Sequence, residues 1–311
     1  PSTRQGIRFL NKSTDDVVFE GSPLQIEDIV AIAQKKKKSR LGESAEFVEK
    51  IRKGTVFLER LLEEDGVIYG VTTGYGDSCT VGIPPHLVDE LPIHLIRFHG
   101  CGLGHYFTHQ QTLAIMATRL SSLSQGYSGV RMAVLKQIEL LITHDITPLI
   151  PEEGSVGASG DLTPLSYLAA LMIGEREVLF KGERRPAKAV FAEQGISPIQ
   201  LRPKEGLAIM NGTAVMTAIA CLVYNRAEYL AQLVSRITAM ASIALQGNSN
   251  HFDELLFAVK PHPGQNRVAA WIRHDLNHHE HPRNSKRLQD RYSIRCAPHI
   301  IGVLQDSLPW M

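Results

Sequence analysis

Apolar positions recur at helical spacing along most of the chain, and this periodicity predicts a mainly α protein. Ser22-Pro23-Leu24-Gln25 reads as a helix start, with an N-cap serine, a first-turn proline and a glutamine three residues on. Ser44 opens a second helix that runs towards Glu64 and stops near Asp65-Gly66. Thr108 and Gln111 form a capping box ahead of Leu113, Met116, Leu120 and Leu123, and that helix ends at Gly126. A further helix from Ser128 places Leu135, Ile138 and Leu141 on one face and must finish before Pro148. From Glu205 to about Leu245 the pattern predicts one long helix, apolar on most faces, and therefore buried in a bundle or a subunit interface.

The departures from helical periodicity are few. Val178-Leu179-Phe180 and the residues after Gly182 predict a short hairpin. Gly70, Gly74 and Gly76 crowd one short segment and make it a loop. Residues 261–295 are polar and broken, which predicts a long loop with small elements. A soft boundary near residue 200 separates a mixed N-terminal domain, 1–200, from the start of a long-helix bundle, 201–311.

Composition narrows the class. Hydrophobic residues at 43% with charged residues at 21% fit a globular chain rather than a disordered one. A net charge of +1 gives no general affinity for nucleic acid or a membrane surface. The basic run Lys35 to Arg40 reads as a solvated helix end before it reads as a polyanion site. Cys79, Cys101, Cys221 and Cys296 form no CxxC pair, which argues against a disulfide framework or a zinc site and fits a cytoplasmic setting. No apolar run of membrane-spanning length stands out, and no signal-peptide pattern opens the chain.

The most informative stretch is Gly154-Ser155-Val156-Gly157-Ala158-Ser159-Gly160-Asp161-Leu162-Thr163-Pro164-Leu165. Asp161 or Thr163 can cap the helix that follows, with Pro164 in its first turn. The small residues ahead of it permit tight backbone approach. A bend held by its surroundings could bring the Gly160 nitrogen onto the Ala158 carbonyl carbon and close an imidazolone with loss of water. Loss of the Ser159 hydroxyl as a second water would leave an exocyclic methylene, an electrophile that no standard side chain provides. From composition alone, an ordinary glycine-rich turn or an anion-binding helix start fits equally well.

The segment GSVGASGDLTPLSYLAAL resembles the signature of the histidine, phenylalanine and tyrosine ammonia-lyases and the related aminomutases. Three further stretches resemble that family in the same order: YGVTTGYG at Tyr69 to Gly76, KEGLAIMNGT at Lys204 to Thr213, and QDRYSIRCAPHIIG at Gln289 to Gly302. The resemblance implies that Ala158, Ser159 and Gly160 cyclise to 4-methylideneimidazole-5-one (MIO), with no metal and no nucleotide. It implies that Tyr69 is the base that removes the proton beside the aromatic ring. A tyrosine whose ordinary pKa is ~10 needs nearby positive potential or hydrogen bonds for that task. Arg295 would grip the substrate carboxylate with its planar fork. Asn211 would hydrogen-bond the amino or carboxylate end, a role compatible with capping a helix. Tyr292 and Gln289 would line the pocket, and Cys296 would be buried. Taken without the family, Tyr69 reads as a half-buried loop residue and Arg295 as one side of an ion pair.

Phe98-His99 stands where the family reads its substrate's ring. A histidine there suits an imidazole or a phenol better than a plain phenyl group, because an unpaired polar partner is costly. Thr72-Thr73-Gly74-Tyr75 and Leu165-Ser166-Tyr167 lean towards the phenylalanine and tyrosine branch instead. The expectation is an ammonia-lyase acting on an aromatic L-amino acid, histidine or tyrosine before phenylalanine, as a cytoplasmic homotetramer whose active sites are shared between chains. Its alternatives are a 2,3-aminomutase with the same group and an inactive truncated paralogue or assembly subunit. Family members continue beyond the point that aligns with Met311, so the expected fold is truncated relative to the family. His274, His278, His279 and His281 cluster with Asp275 and Glu280, and a polar loop is the reading preferred over a metal site.

Overall fold

The computed structural model describes residues 16–64, 66–276 and 288–311. They divide into two compact units inside one long helix, between Leu222 and Val223, beyond the change in sequence character near residue 200.

The first unit begins with β1 (Val17–Phe19), crosses through α1 (Ile26–Ala33) and returns in parallel as β2 (Ser39–Leu41), with Val17 opposite Ser39. The start of α1 lies later than Ser22. Gln25 is its N-cap, in extended conformation, and donates its amide to the Asp28 carboxylate at 3.1 Å. A carboxylate three residues into the helix can reciprocate Gln25, whereas Pro23 falls outside the first turn. The lysine run follows the end of α1, where Lys35 pairs with Asp145 and Lys37 with Asp28.

The Ser44 hydroxyl accepts from the Phe47 amide and starts α2 (Ala45–Glu64), which buries the narrow stripe Phe47, Ile51 and Leu58. A loop and two short 3-10 turns lead to α3 (Leu91–His99) and then β3 (Leu103–Tyr106). The Thr108–Gln111 box caps α4 (His109–Leu123) as the sequence predicts. The next helix, α5 (Met132–Thr143), starts later than Ser128, because Gly126 and Gly129 both take left-handed backbone and prolong the turn.

After α5 come β4 (Thr147–Pro148), β5 (Pro151–Glu153) and α6 (Leu162–Met172). The predicted hairpin is β6 (Glu177–Phe180) with β7 (Glu183–Pro186), and β4 adds to its edge; β5 pairs antiparallel with β3. Then follow α7 (Ala187–Gln194), α8 (Glu205–Met210) and α9 (Ala214–Ala244). One continuous core runs from Ile96 through Leu113, Leu120, Leu135, Leu165 and Leu168 to Ile209 and Ala218. It packs α6 against α3 and α8, and sets α1 and α5 against α4.

The predicted single helix from Glu205 to Leu245 is two helices. Asn211 ends α8 in extended conformation, so it is a C-terminal residue of one helix and not the N-cap of another. A Cβ at Gly212 would displace the Arg119 guanidinium, so the glycine lets the chain pass close to this side chain. The run 205–244, expected as a buried helix, is long and apolar enough to cross a bilayer by length and composition, against the expectation that no run of that length stands out. Part of it lies in the core, while Met216, Val223, Tyr229, Leu230 and Met240 on α9 are exposed.

The second unit contains the later part of α9, α10 (Glu254–Ala258), α11 (Pro263–Asp275), α12 (Tyr292–Arg295) and α13 (Ala297–Ser307). Ala239, Phe252, Val268, Ile272 and Leu276 form its own small core. Where a long loop was expected from 261, α11 is a full helix. Its buried Val268, Ile272 and Leu276 recur every four residues, a stripe too narrow to stand out among polar neighbours. It crosses α13 backbone to backbone, since a Cβ on Gly264 would meet the Gly302 carbonyl oxygen at 2.1 Å.

Candidate active site

Residues 158–160 form the exposed turn that leads into α6. Ser159 has φ +60, between Gly157 at +66 and Gly160 at +109. A serine in this left-handed region is costly unless its surroundings enforce it, so the turn is held rather than relaxed. The enforcing contact is visible at Gly160. A Cβ there would lie 2.8 Å from the Gly212 nitrogen and 2.9 Å from Asn211 Oδ1. The Asp161 amide donates to the Gly212 carbonyl at 2.8 Å. Two stretches remote in sequence, 158–160 and 211–213, are thus pressed together.

Asp161 works differently from the expectation. It is the N-cap residue of α6, but its carboxylate makes no capping bond to that helix. Instead, at 5% exposure, it accepts from the Ser155 hydroxyl at 2.7 Å and from the Val215 and Met216 amides at 3.0 and 3.1 Å. It therefore caps α9, where unpaired amides and the positive end of a long helix dipole favour a carboxylate.

The Tyr69 loop lies against α8, because Gly70, at φ +66, leaves room for Leu207 Cδ2 and the Tyr75 ring within 2.8 Å of where a Cβ would stand. Thr72 and Thr73 hydroxyls accept from the Ile68 and Gly70 amides and fix the loop. Tyr69 is half exposed, and its oxygen accepts from the Gly76 amide at 2.8 Å. Its hydrogen bond is therefore within its own loop. Tyr75 packs against the core. Burial, followed by the neighbouring Tyr69, pushes its phenol well above the ordinary range.

Phe98 and His99 end α3. Phe98 is 80% exposed, and the His99 ring meets it edge-on at 5.1 Å. His99 Nδ1 lies 3.0 Å from the Leu95 carbonyl oxygen, which can only accept. The proton of neutral His99 therefore sits on Nδ1, and Nε2 is left as an acceptor. The following segment is held by residues that the sequence reading had not assigned. The Tyr167 hydroxyl accepts from the Gly102 amide at 3.1 Å, and the Arg176 guanidinium stacks on the Tyr167 ring at 4.2 Å. Gly100 lies against that guanidinium, and a side chain there would displace it from the Tyr167 ring.

In the second unit, Tyr292 and Arg295 sit on α12 and Gln289 just ahead of it, with Gln289 and Tyr292 exposed. The Arg295 guanidinium lies over the Tyr292 ring at 4.3 Å. Among the described residues Arg295 has no carboxylate partner, and its Nε is buried without a hydrogen bond. This differs from the ion pair that Arg295 suggests outside the family context. Asp290, unassigned from the sequence, anchors the segment: its carboxylate accepts from the Asn248 amide at 2.7 Å, and its own amide donates to His251 Nε2 at 3.0 Å. Cys296 is only partly buried.

Of the histidine cluster, His274 and Asp275 lie on α11, and Asp275 pairs with Arg236 at 3.1 Å. His278, His279, Glu280 and His281 lie outside the described residues. Among the described residues no group of His, Cys, Asp and Glu could hold a metal ion.

The scaffold is mainly helical and holds a small tripeptide turn against the Asn211-Gly212 break. The family described as aromatic amino acid lyase matches residues 24–311, and the chain belongs to it. Similar relatives include histidine ammonia-lyases from Bos taurus and Shouchella clausii. The first is 35% identical over 100% of this chain and 49% of the relative. The second is 38% identical over 95% and 59%. Among solved structures, the tyrosine aminomutase from Streptomyces globisporus superposes with a TM-score of 0.86 at 34% identity, covering 94% of this chain and 59% of that one. The chain thus spans about half to three fifths of the length of these proteins.

Proposed function

We propose that this chain is the prosthetic-group-bearing part of an ammonia-lyase that removes ammonia from an aromatic L-amino acid, with histidine or tyrosine preferred to phenylalanine. The observation that carries the reading is Ser159 at φ +60, on a turn whose next residue is wedged against Asn211 and Gly212. Such a turn fits ring closure between residues 158 and 160, because the strain is already imposed by α6 and the 211–213 break. Once formed from Ala158, Ser159 and Gly160, the MIO group supplies an electrophile that draws electrons from the substrate and activates the amine as a leaving group.

The chain's own residues have the remaining tasks. Tyr69 Oη takes the proton from the carbon beside the ring, and the Gly76 amide places a donor on that oxygen. Asn211, beside Gly160, hydrogen-bonds the amino or carboxylate end of the substrate. Arg295, free of a carboxylate among the described residues, is available for a substrate carboxylate, with Gln289 and Tyr292 on the same segment available for further contacts with substrate and prosthetic group. His99 Nε2 accepts a hydrogen bond, which suits a phenolic O–H or an imidazole N–H and leaves a phenyl ring with an unpaired polar neighbour. Exposed apolar residues of α9 support association with further copies of the chain; the homotetramer and the cytoplasmic location are part of the same proposal.

A 2,3-aminomutase is the second reading, favoured by the likeness to the Streptomyces globisporus aminomutase. The test uses the longer protein that contains this chain. Each aromatic amino acid is supplied and the unsaturated acid followed by ultraviolet absorbance, while products are separated to detect a β-amino acid. Ser159→Ala abolishes turnover and, having no hydroxyl to lose, cannot form the exocyclic methylene, so its intact mass does not show the loss of two waters. Full turnover by that variant overturns the reading.

A further inference from the structure

Behind the Asn211-Gly212-Thr213 break lies a cavity of about 390 Å³, within the first unit. Thr118, Arg119, Ser122, Gln125, Thr213 and Thr217 contribute to its lining, and Asn211 and Gly212 form part of one wall. The lining is rich in hydroxyls and amides. Among the described residues lining it there is no Asp or Glu.

Arg119 is the unusual member. It is 4% exposed, and no carboxylate pairs with it among the described residues. Its Nη2 donates to the Ala208 and Asn211 carbonyls, and Nη1 reaches Ser122 Oγ at the long distance of 3.4 Å. Its Nε and the Thr118 hydroxyl are buried without a partner among the described residues. A guanidinium out of water needs a counter-charge or full hydrogen bonding, and this one has neither. Burial pushes it down to about 10, with the Asp161 carboxylate opposing the shift. That carboxylate is itself committed to Ser155, Val215 and Met216.

We propose that this cavity is a binding site for a small oxyanion, of the phosphate or carboxylate class, held by the charge of Arg119 with donors from Ser122 and Gln125. An anion there supplies the counter-charge that Arg119 lacks among the described residues. Its volume is ample for such an ion with some water. The site lies on the face of the 211–212 backbone that Arg119 touches, so its occupant braces the same backbone against which Gly160 packs.

The test is calorimetric titration of the protein with inorganic phosphate at constant ionic strength, chloride being the balancing anion. One saturable site is expected. Replacing Arg119 could disturb the fold, so the decisive variant is Gln125→Glu, which sets a carboxylate at the cavity lining to compete for Arg119. It weakens phosphate binding at least about tenfold while the circular dichroism spectrum stays unchanged. A competition arm with acetate assigns the occupant: displacement of phosphate supports a carboxylate, and no displacement supports a tetrahedral oxyanion. Absence of saturable binding to the folded protein overturns the proposal. So does binding that Gln125→Glu leaves unaltered, which places the anion elsewhere.

Discussion

Replacing Asp161 by Asn preserves its size and removes its charge at a junction of three segments. The carboxylate now accepts from Val215 N, Met216 N and Ser155 Oγ, all within 3.1 Å. The Val215 and Met216 amides share Oδ2 while Ser155 donates to Oδ1, so an asparagine oxygen can keep both amide bonds but as a neutral acceptor. Exchanging a charged for a neutral acceptor costs about 1 kcal/mol for each of the two bonds. The lost interaction with the helix dipole adds about 0.5–1 kcal/mol. Together the first turn of α9 is destabilised by about 2–4 kcal/mol, or at least about 30-fold in its local opening equilibrium. Two compact units make a single global transition a poor reporter. Amide hydrogen exchange resolved to the first turn of α9 reads the effect directly, at Val215 and Met216. Those amides exchange at least about 30-fold faster in Asp161→Asn, while Ile138 and Leu141 on α5 stay unchanged. Exchange at 215 and 216 altered by less than about threefold refutes the assignment of Asp161 as the cap of α9. Intact mass of the same variant tests the coupling to the neighbouring turn, with incomplete loss of two waters expected at 158–160.

Further outcomes follow from other contacts. Gly264→Ala drives a methyl group onto the Gly302 carbonyl and destabilises the second unit by about 3 kcal/mol, seen as faster amide hydrogen exchange along α11 and α13; unchanged exchange there removes the backbone-to-backbone crossing. Tyr69→Phe removes nearly all turnover and the tie to Gly76 while leaving the circular dichroism spectrum intact, and normal turnover contradicts the proton-transfer role. His99→Leu moves the substrate preference towards phenylalanine, measured as the ratio of kcat/KM values, with an unchanged ranking counting against it. His299 is held below its ordinary value by burial and then by the nearby Lys260. A histidine with a lowered folded-state pKa leaves more protons on the unfolded chain, so its stability contribution is full above ~6.5 and is lost as pH falls towards the folded value. Denaturation of His299→Gln across that window shows a flatter pH dependence than the parent, and an identical slope eliminates His299 as the source.

Local chemistry was legible from residue types alone. The Thr108–Gln111 box, the Ser44 helix start and the 177–186 hairpin depend on hydrogen bonds and periodicity spanning a few residues, so adjacent side chains carry the whole signal. The four family-like stretches were equally plain, because they resemble known segments residue by residue. Adjacent side chains could not reveal which distant partner takes a polar group. Asp161 reads as the cap of its own helix and instead caps α9, because the 211–213 break brings two free amides to it. At that break Gly212 packs against the guanidinium of Arg119, far upstream in the chain, a contact that adjacent side chains do not announce. Likewise α11 hides its apolar stripe in a polar sequence until α13 supplies the surface that buries it. Propensity and capping act over one or two turns, whereas charge satisfaction and close packing act through space, and only the tertiary structure decides them.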